Sequence, residues 1–156
     1  MPVDAMHCTL LPAVGLSSKD VDTDALLTAM EISARTLPPF TLTFDRPSVS
    51  DVGVEISGWP GRPFTANVDA VTGVMTTRGA DFRAAPSRYP HMSLAYASSG
   101  SEAVDAVTSR AGLASIEKPL SGTVAVDRLH LVEQWRDGAH ITWNPIGEVP
   151  LAGVGA

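Results

Sequence analysis

Short runs of alternating apolar and polar residues recur along the whole chain, and between them apolar residues return every three or four positions. The alternating runs are residues 6–11, 41–44, 52–56, 91–97, 122–133 and 139–143. Period-two alternation is what a half-buried strand requires, because successive side chains point to opposite faces. A helical pattern follows Asp22 or Thr23, either of which can cap a run reaching Arg35, with Ala25, Leu26, Ala29, Met30 and Ser33 toward its buried side. It returns in Phe64, Val68, Val71 and Met75, where Gly73 weakens the helix, and in Val104, Val107 and Ala111 behind a cap at Ser101 and Glu102. Pro12, Pro38-Pro39, a turn at Arg46-Pro47, an irregular stretch at 58–63 and a polar loop at 77–90 break these runs. Asp137-Gly138 closes a terminal hairpin, and residues 145–156 read as an edge segment with a frayed tail. Strands outnumber helices and helices lie between them, so the expected class is α+β with a largely antiparallel sheet.

At 156 residues the chain suits one domain, 1–156, with a sizeable core. Its 17 acidic and 11 basic residues leave a net charge of −6. That balance argues against a grip on long duplex nucleic acid, which needs many phosphate-neutralising cations. It leaves room for a small phosphate ester, or an RNA end, in a locally basic cleft. A single cysteine excludes an internal disulfide framework. The opening residues do not read as a signal peptide, and no apolar stretch approaches the ~18 residues of a membrane span, so a cytoplasmic protein without membrane partners is expected.

Two segments repeat one chemical idea. His7-Cys8-Thr9-Leu10 and His91-Met92-Ser93-Leu94 each set a histidine, one residue, a small hydroxyl and then leucine, and they use two of the four histidines. As strands, each puts its histidine and hydroxyl on one face, with Cys8, Leu10, Met92 and Leu94 on the other. Side by side, they would place two imidazoles and two hydroxyls around one pocket. Imidazole titrates near ~6.5 in water, so a pair can share one proton at neutral pH, one ring taking a proton while the other gives one. Hydroxyls can hold an anion such as phosphate. His130 and His140 fall in the two arms of the last hairpin, without the compact spacing of a zinc site, and no metal is expected. Tyr96 shares no face with His91 by simple parity and reads as packing. Arg62, Arg83 and Arg88 are candidates for positive potential near the pocket, and Trp59, Trp135 or Trp143 for stacking on a base. No glycine-rich phosphate loop or GxSxG elbow is present.

These residues resemble the paired histidine-x-threonine/serine motifs of the 2H phosphoesterase superfamily, and in particular the bacterial branch of 2'-5' RNA ligases and RNA 2',3'-cyclic phosphodiesterases. The segments Pro2-Val3-Asp4-Ala5-Met6, Leu37-Pro38-Pro39-Phe40-Thr41-Leu42-Thr43-Phe44, Ser93-Leu94-Ala95-Tyr96, Val126-Asp127-Arg128-Leu129-His130-Leu131, Trp143 and Glu148-Val149-Pro150-Leu151 agree with it in order and character. The resemblance implies two lobes of antiparallel sheet around a central cleft with outer helices, roughly residues 1–85 and 86–156 with interleaved elements. It implies catalysis by His7 and His91, phosphate contacts from Thr9 and Ser93, and no cofactor. The implied activity opens 2',3'-cyclic phosphates of RNA or nucleotides to 2'-phosphates, with the reverse 2'-5' ligation. A binding module without turnover, or an inactive fragment, are the alternatives. Two departures stand out. The family carries roughly forty further residues before its first motif, so an incomplete first lobe, with an uncovered sheet edge open to self-association, is expected. Arg88 stands one residue from the family's arginine, and one residue reverses a strand face. Arg88 and Arg62 remain candidate substrate contacts.

Overall fold

Residues 6–50, 53–78, 83–96, 105–118, 120–137 and 140–153 are described by the structure, a computed structural model. The Ser101–Glu102 cap, Val104, Gly138, the lead-in before Met6 and the last residues of the tail lie outside them. The elements run β1 (Ala13–Val14), α1 (Thr23–Ala34), β2 (Phe40–Ser50), β3 (Gly53–Trp59), α2 (Gly61–Arg78), β4 (Arg83–Ala84), β5 (His91–Tyr96), α3 (Ala106–Ala114), β6 (Gly122–Val126), β7 (Arg128–Asp137) and β8 (His140–Pro150). Every strand pairing is antiparallel. A four-stranded sheet has the order β5-β3-β2-β6, β7 and β8 form a long hairpin, and β1 meets β4. The expected α+β class holds.

Helix α1 begins where its sequence says it should. The Asp22 carboxylate accepts the Ala25 N–H at 3.0 Å, satisfying a donor that has no partner within the helix. Leu26, Met30 and Ala34, spaced four apart, are its buried stripe. They join Leu37, Met75, Leu129, Val149 and Leu151 in one apolar cluster. A second cluster, Leu42, Phe44, Ile56, Phe64 and Val68, lies under the four-stranded sheet. Helix α2 serves both, giving Met75 to the first and Phe64 and Val68 to the second. Pro63 lies in its first turn, where a missing N–H costs nothing.

Several expectations are corrected. Residues 6–11 form no strand, although they flank one. Arg46-Pro47 is not a turn. Strand β2 continues through it to Ser50, and the register against β3 shifts between Phe44 and Arg46, a bulge at Asp45. Strand β6 pairs only with Phe40 to Phe44, so Pro47 lies beyond the reach of that neighbour and its missing N–H takes no bond from it. The stretch expected to be irregular from Gly58 is the end of β3 followed directly by α2. The long strand at 122–133 is two strands in different sheets, divided at Asp127. There the Asp127 carbonyl accepts the Leu151 N–H at 2.8 Å and its carboxylate accepts Arg128 Nε at 3.0 Å. The edge segment expected from Pro145 is the end of β8 as far as Pro150, but Val149 and Leu151 are core residues and not the start of a loose end. Helix α3 is capped by Asp105, whose carboxylate accepts the Thr108 N–H at 2.8 Å, and the described part of its expected apolar stripe, Val107 and Ala111, is exposed. Val107 is 73% exposed, since a helix rich in alanine and glycine offers little apolar area to bury.

Candidate functional site

The segment carrying His7 lies in the seam between β5 and the hairpin. Backbone and side chain fix it to the loop before β5, with Ser87 N–H donating to the Leu10 carbonyl at 2.9 Å and Ser87 Oγ–H to the Thr9 carbonyl at 2.6 Å. The His91 backbone N–H lies close enough to the Cys8 thiol to lower its pKa slightly, and Cys8, Leu10, Met92 and Leu94 pack against the same cluster, so the two repeated motifs are neighbours. On the other side the His7 ring meets Trp143 of β8 edge-on, centroids 4.8 Å apart and planes at 73°. The irregular backbone of residues 6–10 makes sense here. The bonds given above from the Thr9 and Leu10 carbonyls go to Ser87 in a loop, and not along a regular ladder.

Cys8, Leu10, Met92 and Leu94 all pack against the cluster under the four-stranded sheet. These are the residues that alternation assigned to the core face; in β5 the alternate pair His91 and Ser93 takes the opposite face, while His7 and Thr9 belong to no strand and are not placed by alternation. None of these four is fully buried. The β3–β5 register extends that surface, because Ser57 stands opposite His91 and Glu55 opposite Ser93. Leu94 is an extra residue between the Glu55–Ser93 and Val54–Ala95 pairs. This bulge corrects the parity of Tyr96, which pairs with Gly53 on the same row as Glu55 and Ser57. Tyr96 is 37% exposed and lines a shallow depression with Ser50, Glu55 and Ser93. The bulge depends on Gly53, whose φ is +147° and where an added Cβ would lie 2.0 Å from the Ala95 carbonyl oxygen.

His91 Nδ1 lies 3.1 Å from the Tyr89 carbonyl oxygen. A carbonyl only accepts, so a neutral ring making this bond carries its proton on Nδ1 and presents Nε2 as a lone pair. Burial pushes the Cys8 thiol up to about 11, partly opposed by the His91 N–H. The thiol is thus neutral near pH 7, a packing group in place of a nucleophile. In the native chain at pH 8, Ellman's reagent is expected to react with Cys8 at least ~100-fold more slowly than after unfolding in guanidinium. Equal rates would contradict the buried geometry. The same shift makes the fold lose stability as pH climbs from the ordinary thiol range toward 11, because the unfolded chain gives up its proton first.

Arg62, in the first turn of α2, and Arg88, in the loop before β5, are exposed. Trp59 and Trp135 are also largely exposed, and Trp59 Nε1–H donates to Asp45 Oδ2 at 3.1 Å. His130 is exposed on the hairpin, 3.8 Å from Glu148. Among the described residues, no three of histidine, cysteine, aspartate and glutamate come together as a metal-ligand set. No helix among them is long and apolar enough to cross a membrane. Sequence reasoning missed Glu55 and Ser57, whose only signal was their alternation in β3. Tyr89, beside the displaced Arg88, drew no reading of its own.

No family model matches the chain, and no curated protein matches it in sequence. Solved structures do. The fold matches LigT of E. coli complexed with 3'-AMP, with a TM-score of 0.66 and 20% identity over 97% of this chain and 79% of that one. LigT of E. coli in apo form matches at 0.63 and 19%, with the same coverage. A protein described as a phosphoesterase matches at 0.62 and 21%, over 96% of this chain and 78% of its own. At such identities the likeness is one of fold.

Proposed function

We propose that the chain is a phosphodiesterase that opens 2',3'-cyclic phosphates at RNA ends or on nucleotides, using His7 and His91 and no metal ion. The observation that carries this reading is the common packing of Cys8, Leu10, Met92 and Leu94 against one core cluster, with the His91 N–H close enough to lower the pKa of the Cys8 thiol. It supports a reading in which the two histidine–hydroxyl motifs act together at one site. The fold shared with a protein crystallised with 3'-AMP supports a nucleotide ligand.

In this mechanism one imidazole takes a proton from water as its oxygen attacks phosphorus. The P–O3' bond breaks, and the other imidazole, entering protonated, gives its proton to the departing 3' oxygen. The products are a 2'-phosphate and a free 3'-hydroxyl. The pair ends with its protonation states exchanged, and solvent resets them. Hydroxyls of Thr9 and Ser93 donate to the non-bridging oxygens, where charge accumulates in the transition state. The lone pair that the Tyr89 contact leaves on His91 Nε2 suits the base role; with a 5'-hydroxyl in place of water as the attacking group, the same steps join it to the cyclic phosphate through a 2'-5' linkage, with the 3' oxygen again departing.

The test is turnover of adenosine 2',3'-cyclic phosphate by the purified chain with EDTA present, the product assigned by phosphorus NMR. Chelator-resistant formation of the 2'-phosphate is the expected result. Binding without turnover would indicate a recognition module, and formation of the 3'-phosphate would reverse the proposed leaving group.

A further inference from the structure

Beside His91 stands a pair of side chains that the proton transfers above leave unused. Tyr89 touches His91 twice, through its carbonyl at 3.1 Å from Nδ1 and through its ring, with centroids 5.2 Å apart and planes at 49°. Its hydroxyl donates to Glu55 Oε1 at 2.8 Å, and Ser48 Oγ lies 3.5 Å from the same oxygen. Glu55 is fixed in turn by β3, where it faces Ser93, two residues from the Ser57 that faces His91. Tyr89 itself is 45% exposed, so packing alone holds its side chain loosely. Pro90 anchors the following residue, buried and with its carbonyl accepting the Gly58 N–H at 2.8 Å.

We infer that Tyr89 and Glu55 are a positioning pair for His91, the hydroxyl–carboxylate bond holding Tyr89 so that its carbonyl keeps the imidazole proton on Nδ1 and Nε2 free for the phosphate. The inference deepens the proposed function and rests on it for its catalytic consequence. The physical argument concerns the tautomer. In water a neutral imidazole exchanges its proton between the two nitrogens, and a well-placed carbonyl beside Nδ1 selects one form. A carbonyl on an exposed loop residue does this only if that residue is held. Glu55 supplies the hold from a strand whose register is set by both neighbours. The phenol, raised above its ordinary value by its bond to Glu55, stays protonated and able to donate.

The experiment measures ring nitrogen shifts of His91 by proton–nitrogen NMR at neutral pH, alongside kcat and KM for adenosine 2',3'-cyclic phosphate. Wild-type His91 is expected as the Nδ1–H form. Tyr89→Phe, which removes one exposed oxygen and leaves folding intact, and Glu55→Ala should each shift ring population toward Nε2–H. Each should lower kcat roughly fivefold with KM within about twofold, the loss expected for one charge-assisted hydrogen bond at a partly exposed site. The double variant should be no slower than either single one, and Glu55→Gln, which keeps an acceptor oxygen, should recover most of the loss. A His91 ring that stays fully Nδ1–H in Tyr89→Phe and Glu55→Ala would overturn the inference. Should the wild-type chain turn over nothing, the proposed function falls, while the ring spectra still decide whether this pair sets the tautomer.

Discussion

Replacing His91 with alanine is expected to lower kcat by ~10²–10⁴-fold, and His7→Ala by a similar factor, with the fold retained in both. The size follows from what each ring does in the proposed mechanism. Losing one leaves either the water or the departing 3' oxygen without a proton partner in the transition state, and bulk water substitutes poorly at pH 7. Retention of the fold follows from placement. Both rings lie outside the two apolar clusters, while Cys8 and Met92, their chain neighbours, pack into one of them. Thr9→Val should cost less than either histidine, since it removes one phosphate donor among several. The check is steady-state kinetics on each variant beside its thermal unfolding curve. A His91→Ala chain as active as wild type would remove the acid–base assignment.

The largest effect on stability is expected from Phe64→Ala. Phe64 is 1% exposed on α2 and packs with Leu42, Phe44, Ile56 and Val68, joining the helix to the sheet that carries His91. Truncating a fully buried phenylalanine costs ~3–5 kcal/mol through lost transfer energy and the cavity left behind. For a domain of this size that lowers Tm by roughly 6–20 °C. Met75 on the same helix packs in the other cluster, so loosening α2 at Phe64 should weaken both packing regions together. Val107→Ala, on the exposed face of α3, is the matched control and should stay within about 0.5 kcal/mol. Chemical denaturation of the two variants beside wild type measures the contrast. Equal losses would mean that the cluster around Phe64 contributes no more than the surface.

The apolar members of the two motifs, Cys8, Leu10, Met92 and Leu94, pack against the core cluster as their hydrophobicity asks, although residues 6–11 form no strand and only Met92 does so by regular alternation. The Asp22 cap and the stripe of α1 were legible because both depend on local spacing. What alternation could not show was which strand neighbours which. The chain changes sheets at Asp127 inside a pattern that reads as one continuous strand. It absorbs an extra residue at Asp45 and another at Leu94, and the second returns Tyr96 to the row of Glu55 and Ser57. Glu55 and Tyr89 were invisible as a pair for the same reason, since 34 positions separate them and only the register of β3 against β5 brings them together. Arg62 and Arg88 remain proposals for substrate contact, on exposed positions flanking β3 and β5.

The central claim is that the two motifs close on a single phosphate. A crystal structure of the chain with adenosine 2'-phosphate, the expected product, tests it most directly. The account predicts the phosphate between the two rings, with His7 and His91 nitrogens and the Thr9 and Ser93 hydroxyls each ~2.6–3.2 Å from its oxygens. Imidazoles separated by more than ~12 Å, or a phosphate bound away from both, would contradict it, since no one phosphorus centre could then exchange protons with both rings.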